Sequence, residues 1–142
     1  MNEKPSLVER AVDTKLVIMS AWVALMCLYL YCDWFSLFRT GQISSIMNGK
    51  MGPFDVSQTS LVLAGLLMVI PSLMIVVSVL VTARICRIIN LAASALYFLV
   101  NIGNMVGETW GYYYLFGLLE LGLVTFIFVI SLRWPRQESV AP

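Results

Sequence analysis

Residues 90–108 read NLAASALYFLVNIGNMVGE. Asn90, Ser94, Tyr97, Asn101, Asn104 and Glu108 interrupt an otherwise apolar run, at offsets of four, three, four, three and four. At about 100° per residue they share an arc of roughly 80° on one face of a helix. Hydrocarbon penalises amides and carboxylates. The stripe therefore predicts a helix that turns this face toward a protein interior or a wet cavity.

The rest of the chain reads as a wall around that face. Of its 142 residues, 60% are hydrophobic and 12% charged; a soluble domain carries about twice that charged fraction. Long apolar runs fall at about 16–38, 57–81, 85–106 and 112–134, each near the ~20 residues that a spanning helix needs. The expected fold is all-α: an integral membrane four-helix bundle over residues 15–135, left-handed by default. A polar segment, 1–14, precedes it and a tail, 136–142, follows. The opening MNEKPSLVERAVDTK is polar and lacks a signal-peptide pattern.

Connections and charges orient the bundle. Thr82-Ala83-Arg84 leaves almost no loop, so the second and third spans form a hairpin. Lys4, Arg10, Lys15, Arg84, Arg87, Arg133 and Arg136 fall on one side, against Arg39 and Lys50 on the other. That asymmetry places both termini in the cytoplasm of a cell whose inner (plasma) membrane holds the protein. Trp34, Trp110 and Tyr112 to Tyr114 then form an outer aromatic belt. In the longest connection, residues 39–56, Ile43, Ile46 and Met47 fit a short amphipathic turn on the membrane. It reads either as a lid or as a surface loop with a greasy anchor. Pro71, mid-span, is expected to kink the second helix by removing a backbone donor.

Two carboxylates fall inside the expected hydrocarbon: Asp33 near the outer end of span one, and Glu120 roughly 12 Å below the outer end of span four. On helical spacing Trp22, Met26, Tyr29, Asp33 and Ser36 share one face, as do Tyr113, Gly117, Glu120, Val124, Ile127 and Ser131. Asp33, Glu120, Asn101, Asn104, Tyr97, Tyr29 and Tyr113 are therefore expected to converge on one ligand- or ion-binding pocket in the outer half of the bundle. A lone ionised carboxylate in lipid costs about 2.5–3.5 kcal/mol or more, and no Lys, Arg or His lies at the depth of Glu120. Glu120 is expected to hold or share a proton, with Asp33, Asn101 and Tyr97 as hydrogen-bond partners.

Several classes drop out. A net charge of +1 argues against nucleic-acid binding. The chain has no His and no CxxC, which removes His-ligated haem, the usual zinc sites and membrane thiol oxidoreductases, so no metal or other cofactor is expected. Cys27 and Cys32 project about 140° apart on one helix and cannot bridge. The halves share no motif, so an inverted-repeat transporter within one chain is not supported. Three functions stay open: binding or transport of a cation, proton or small amphiphilic ligand; a structural subunit glued by polar contacts; and, less favoured, an enzyme using paired carboxyls on a lipophilic substrate. The lipid bilayer is the expected partner, with a small cationic or amphiphilic ligand in the pocket, and the small bundle suggests a homo-oligomer.

The chain also resembles a known family, the small four-span bacterial membrane proteins of unknown function DUF6326. The likeness covers about residues 15–137. It rests on Leu28 to Leu37 (LYLYCDWFSL), Gly41-Gln42-Ile43, Lys50-Met51-Gly52-Pro53 and Ile70-Pro71-Ser72-Leu73-Met74. It continues through Arg84, Arg87 and Asn90, Tyr112-Tyr113, Glu120 and Trp134-Pro135. The resemblance implies the bundle and the importance of Asp33, Pro71 and Glu120. Members usually carry Gly in place of Cys32 and Asn in place of Cys86, which implies that neither cysteine is functional. The architecture is distantly similar to DoxX-like four-span proteins.

Overall fold

The computed structural model describes residues 11–135. The expected N-terminal segment lies mostly, and the tail wholly, outside these residues. Helix α1 spans Thr14–Ser36, α2 Gln42–Met47, α3 Gln58–Leu80, α4 Ala83–Met105 and α5 Gly111–Leu132. Two-residue strands β1, Lys50–Met51, and β2, Phe54–Asp55, pair antiparallel between α2 and α3. This small hairpin is an addition to the all-α expectation. Gly52, at φ +59°, begins its turn and Pro53 follows, an arrangement that two-residue hairpin loops with Gly first favour.

Four helices, α1, α3, α4 and α5, are long and apolar enough to cross a membrane. Their ends fall within about two residues of the sequence expectation, and α1 begins earlier and stops at Ser36 rather than Phe38. The start of α1 is fixed by Asp13, whose carboxylate accepts from the Lys15 amide, and α3 opens with a capping box between Ser57 and Ser60. Large apolar side chains such as Leu63, Leu99 and Leu118 stand exposed on three different helices. Surfaces this greasy on every side belong in lipid: the chain is a multi-pass membrane protein.

The four long helices pack in a closed ring, α1 on α3, α3 on α4, α4 on α5 and α5 on α1. Lys15 Nζ reaches the carbonyls of Val79 and Val81, and Arg87 Nε donates to the Ser131 carbonyl at 3.1 Å. Each cation thus caps the C-terminus of a neighbouring helix, where carbonyls lack partners and the dipole is negative. These contacts put the start of α1, the α3–α4 hairpin and the end of α5 together, here termed the hairpin end. The loop end is opposite.

Between the helices lies a core of Ile18, Trp22, Leu25, Tyr29, Met74, Tyr97, Val124 and Ile127. Trp22 and Tyr97 meet edge to face at 5.9 Å. The inward line of α1 is Ile18, Trp22, Leu25, Tyr29 and Cys32. That is rotated from the expected face of Trp22, Met26, Tyr29, Asp33 and Ser36: Cys32 is buried and Asp33 exposed. Gly117 of α5 packs against the end of α4; a Cβ there would sit 2.7 Å from Met105 Sδ. Among the described residues, a Cβ at Gly103 or Gly111 would meet nothing within 4 Å.

Pro71 is buried inside a continuous α3. Proline has no N–H, so the carbonyl four residues earlier, that of Leu67, loses its intrahelical donor. The Tyr97 hydroxyl donates to that carbonyl. The side chain expected to serve the carboxylates instead repairs the break that Pro71 makes in α3. We expect Tyr97→Phe to destabilise the protein by about 1–3 kcal/mol, the range for orphaning a buried acceptor. In a Pro71→Ala background the helix can supply its own donor, and the same change should have little effect. Reversible unfolding of the four variants in detergent reads the coupling; equal losses in both backgrounds would show that the bond is not made.

Candidate functional site

The stripe of α4 divides into two halves with different chemistry. At the hairpin end, Asn90 is fully buried and fully used. Its Oδ1 accepts from Trp22 Nε1 at 2.7 Å, and its Nδ2 donates to the Cys86 carbonyl at 2.8 Å and to Ser78 Oγ at 3.1 Å. Cys86 Sγ closes the group on the Ser78 carbonyl at 3.1 Å. One amide ties α1, α3 and α4 together. Ser94, one turn on, bonds back to its own helix through the Asn90 carbonyl at 2.6 Å. This half has little left to offer a ligand.

The half nearer the loop end is incomplete. Tyr29 donates its hydroxyl to Asn101 Oδ1 at 2.7 Å, across the ring from α1 to α4. The other side of that amide, Asn101 Nδ2, is buried without a hydrogen-bond partner. So is Oε1 of Glu120, a residue only 6% exposed. Buried polar atoms are rarely left unpaired, because each costs about 1–3 kcal/mol. Ser131 Oγ at the hairpin end and Arg39 Nε and Tyr112 Oη at the loop end are also unpaired; Glu120 is set apart as an ionisable group within an apolar span.

A void of about 40 Å³ lies beside Glu120. Tyr29, Asp33, Tyr97, Asn104, Tyr113 and Glu120 line it, so six of the seven side chains expected at the pocket meet there. Asn101 is absent from the lining and connects to it through the Tyr29 hydroxyl. Of the expected partners for Glu120, Tyr97 is committed to Leu67 and Asn101 accepts from Tyr29. Asp33 lies at the rim and is itself exposed. Cys32, Met68 and Val100 complete the lining. Cys32 was legible in principle, since it continues the three-and-four spacing of Trp22, Leu25 and Tyr29. No residue of α2 or the β-hairpin reaches the void.

At the loop end, Arg39 and Glu108 form a two-pronged ion pair, Nη1 to Oε1 at 3.1 Å and Nη2 to Oε2. The guanidinium also lies 5.3 Å from the Trp110 ring and 5.7 Å from those of Tyr112 and Tyr113. The hydrogen-bonded Glu108 carboxylate pushes the Arg39 guanidinium above its already high range. Glu108, the last member of the stripe, lies beyond the end of α4 and serves this pair.

Residues 7–141 match a family of unknown function, DUF6326. The chain belongs to the DUF6326 family. No curated protein and no solved structure matches it. In this DUF6326 chain the residues that carried the resemblance have distinct structural places: Pro71 under Tyr97, Asn90 at the three-helix knot, Glu120 and Asp33 at the void.

The Arg39–Glu108 side chains are 17% and 20% exposed. In Arg39→Met the carboxylate loses its partner in a half-dry setting, and we expect a loss of about 1–3 kcal/mol. Adding Glu108→Gln should recover part of that loss. Thermal unfolding in detergent checks both; a single variant as stable as the parent would show the pair to be ornamental.

Proposed function

We propose that this protein exchanges a proton or a small cation at Glu120, in a pocket that opens toward the outer leaflet. The reading takes the ring of helices as a four-helix bundle of the plasma (inner) membrane with both termini cytoplasmic. Charge supports that orientation. Among the described residues Lys15, Arg84, Arg87 and Arg133 gather at the hairpin end, against Arg39 and Lys50 at the loop end.

One observation carries the proposal: a buried carboxylate, its Oε1 left without a partner, belongs to a residue that lines a polar void, and that lining contains no cation. A water occupies about 30 Å³ in the liquid and needs roughly 10–15 Å³ of free space in a cavity, so the void is on the scale of one to three waters. That fits a proton with its water, or a small monovalent cation shedding most of its shell. A cation entering as the Glu120 proton leaves keeps the charge of the site constant, which low dielectric favours. Asp33, at the rim, is the relay to the loop end. Tyr29, Asn104 and Tyr113 offer neutral oxygens to the cation. An amphiphile or a lipophilic substrate would require the helices to part.

The satisfied Asn90 knot favours a second, structural role for the hairpin-end half of the stripe.

Proteoliposomes loaded with a pH-sensitive dye test the reading. Sodium, potassium and proton gradients should each be tried against the parent and Glu120→Gln. At least one gradient should drive a dye response in the parent that falls by tenfold or more in Glu120→Gln, with the unfolding temperature unchanged or raised. Identical responses across the pair, or none under any gradient, would rule the proposal out.

A further inference from the structure

A second site lies at the opposite end of the molecule. A groove of about 600 Å³ runs along the first turns of α4 and is lined by Arg84, Arg87, Ile88, Leu91 and Trp134. Arg84, Arg87, Ile88 and Leu91 recur at three, one and three residues, so they lie on one helix face. Arg84 is exposed, and Arg87 spends only its Nε on the Ser131 carbonyl. Among the described residues neither arginine forms an ion pair. The first turn of α4 has no acidic residue, and Thr82 supplies no side-chain cap. Two like charges a turn apart on the positive end of a helix repel each other and that helix end until an anion joins them.

The chemistry of the groove is graded. Its charged end sits where the apolar span begins, beside Trp134, an aromatic of the kind that settles at headgroup depth. Its floor, Ile88 and Leu91, continues into the apolar part of the helix. Two guanidiniums at that spacing can grip one phosphate with several parallel N–H donors. The geometry points to a binding site for an anionic phospholipid, with its phosphate between Arg84 and Arg87 and its acyl chain along Ile88 and Leu91. The charge contrast between the two ends selects this one, since each described loop-end cation already has a carboxylate partner. The site is separate from the Glu120 void and does not depend on how that void is used.

Native mass spectrometry of the full chain in detergent tests it. The probes are phosphatidylglycerol, phosphatidylcholine with the same acyl chains, and inorganic phosphate. The parent should retain phosphatidylglycerol over phosphatidylcholine by at least about fivefold, the effect of one basic residue near a lipid surface. Arg84→Gln should lower that preference by about the same factor, and Lys50→Gln, which removes a loop-end charge, should leave it intact. Both variants should unfold at the parent temperature. Equal retention of the two lipids, an undiminished preference in Arg84→Gln, or an equal drop in Lys50→Gln would overturn the proposal. So would displacement of the lipid by equimolar inorganic phosphate. Trp134 gives an independent readout. Phosphatidylglycerol with brominated chains should quench it more than brominated phosphatidylcholine, judged against Trp134→Phe; equal quenching counts against the site.

Discussion

In hydrocarbon no water is available to pair a stray amide or carbonyl, so every polar group must find its partner inside the protein. That constraint organises this molecule. Helix α4 brings a line of amides and hydroxyls inward, and its neighbours answer them. Trp22 and Tyr29 reach across from α1, Ser78 and the Leu67 carbonyl meet the stripe from α3, and Glu120 approaches from α5. The ring of helices is held by apolar packing, but the register of the helices is held by these bonds. A slide of one turn, about 5.4 Å, would break several of them at once.

The contrast between the halves of the stripe bears on function. Around Asn90 donors and acceptors balance, and a balanced buried network is rigid. Around Glu120 they do not: the Asn101 amide nitrogen and one Glu120 carboxylate oxygen are left over, and Glu120 lines a small polar void. A region kept only for stability gains nothing from such leftovers, since apolar replacements would serve it as well or better. Pro71 and Tyr97 lie between the halves. They give α3 a point where a backbone bond has been exchanged for a side-chain bond, and a side-chain bond is the easier of the two to remake if the helices shift.

Much of this was legible in the sequence, for a physical reason. Polar residues in an apolar run stand out, and the 3.6-residue period says which of them share a face. Hence α4 and the inward line of α5, Gly117, Glu120, Val124, Ile127 and Ser131, could be read directly. On α1 the inward line runs through Cys32, one position from Asp33. A carboxylate near a helix end can reach polar surroundings without facing the core. What could not be read were partners distant in the chain: Arg39 with Glu108, Lys15 with Val81, Tyr97 with Leu67. Pro71 did announce that the Leu67 carbonyl would need a donor, but only packing could say that Tyr97 supplies it. The β-hairpin was signalled by Gly52-Pro53 alone, with strands too short to show a period.

The central claim is that Glu120, with one carboxylate oxygen unpaired, lines a polar void toward the loop end of the helices that holds water or a cation. An experimental density map of the protein in lipid, at a resolution that shows ordered water, tests this most directly. The account predicts a water or cation peak within hydrogen-bond distance of the Glu120 carboxylate, connected to Asp33 or Tyr113. A dry void with Glu120 bonded to another protein group, or a Glu120 side chain turned toward acyl chains, would contradict it.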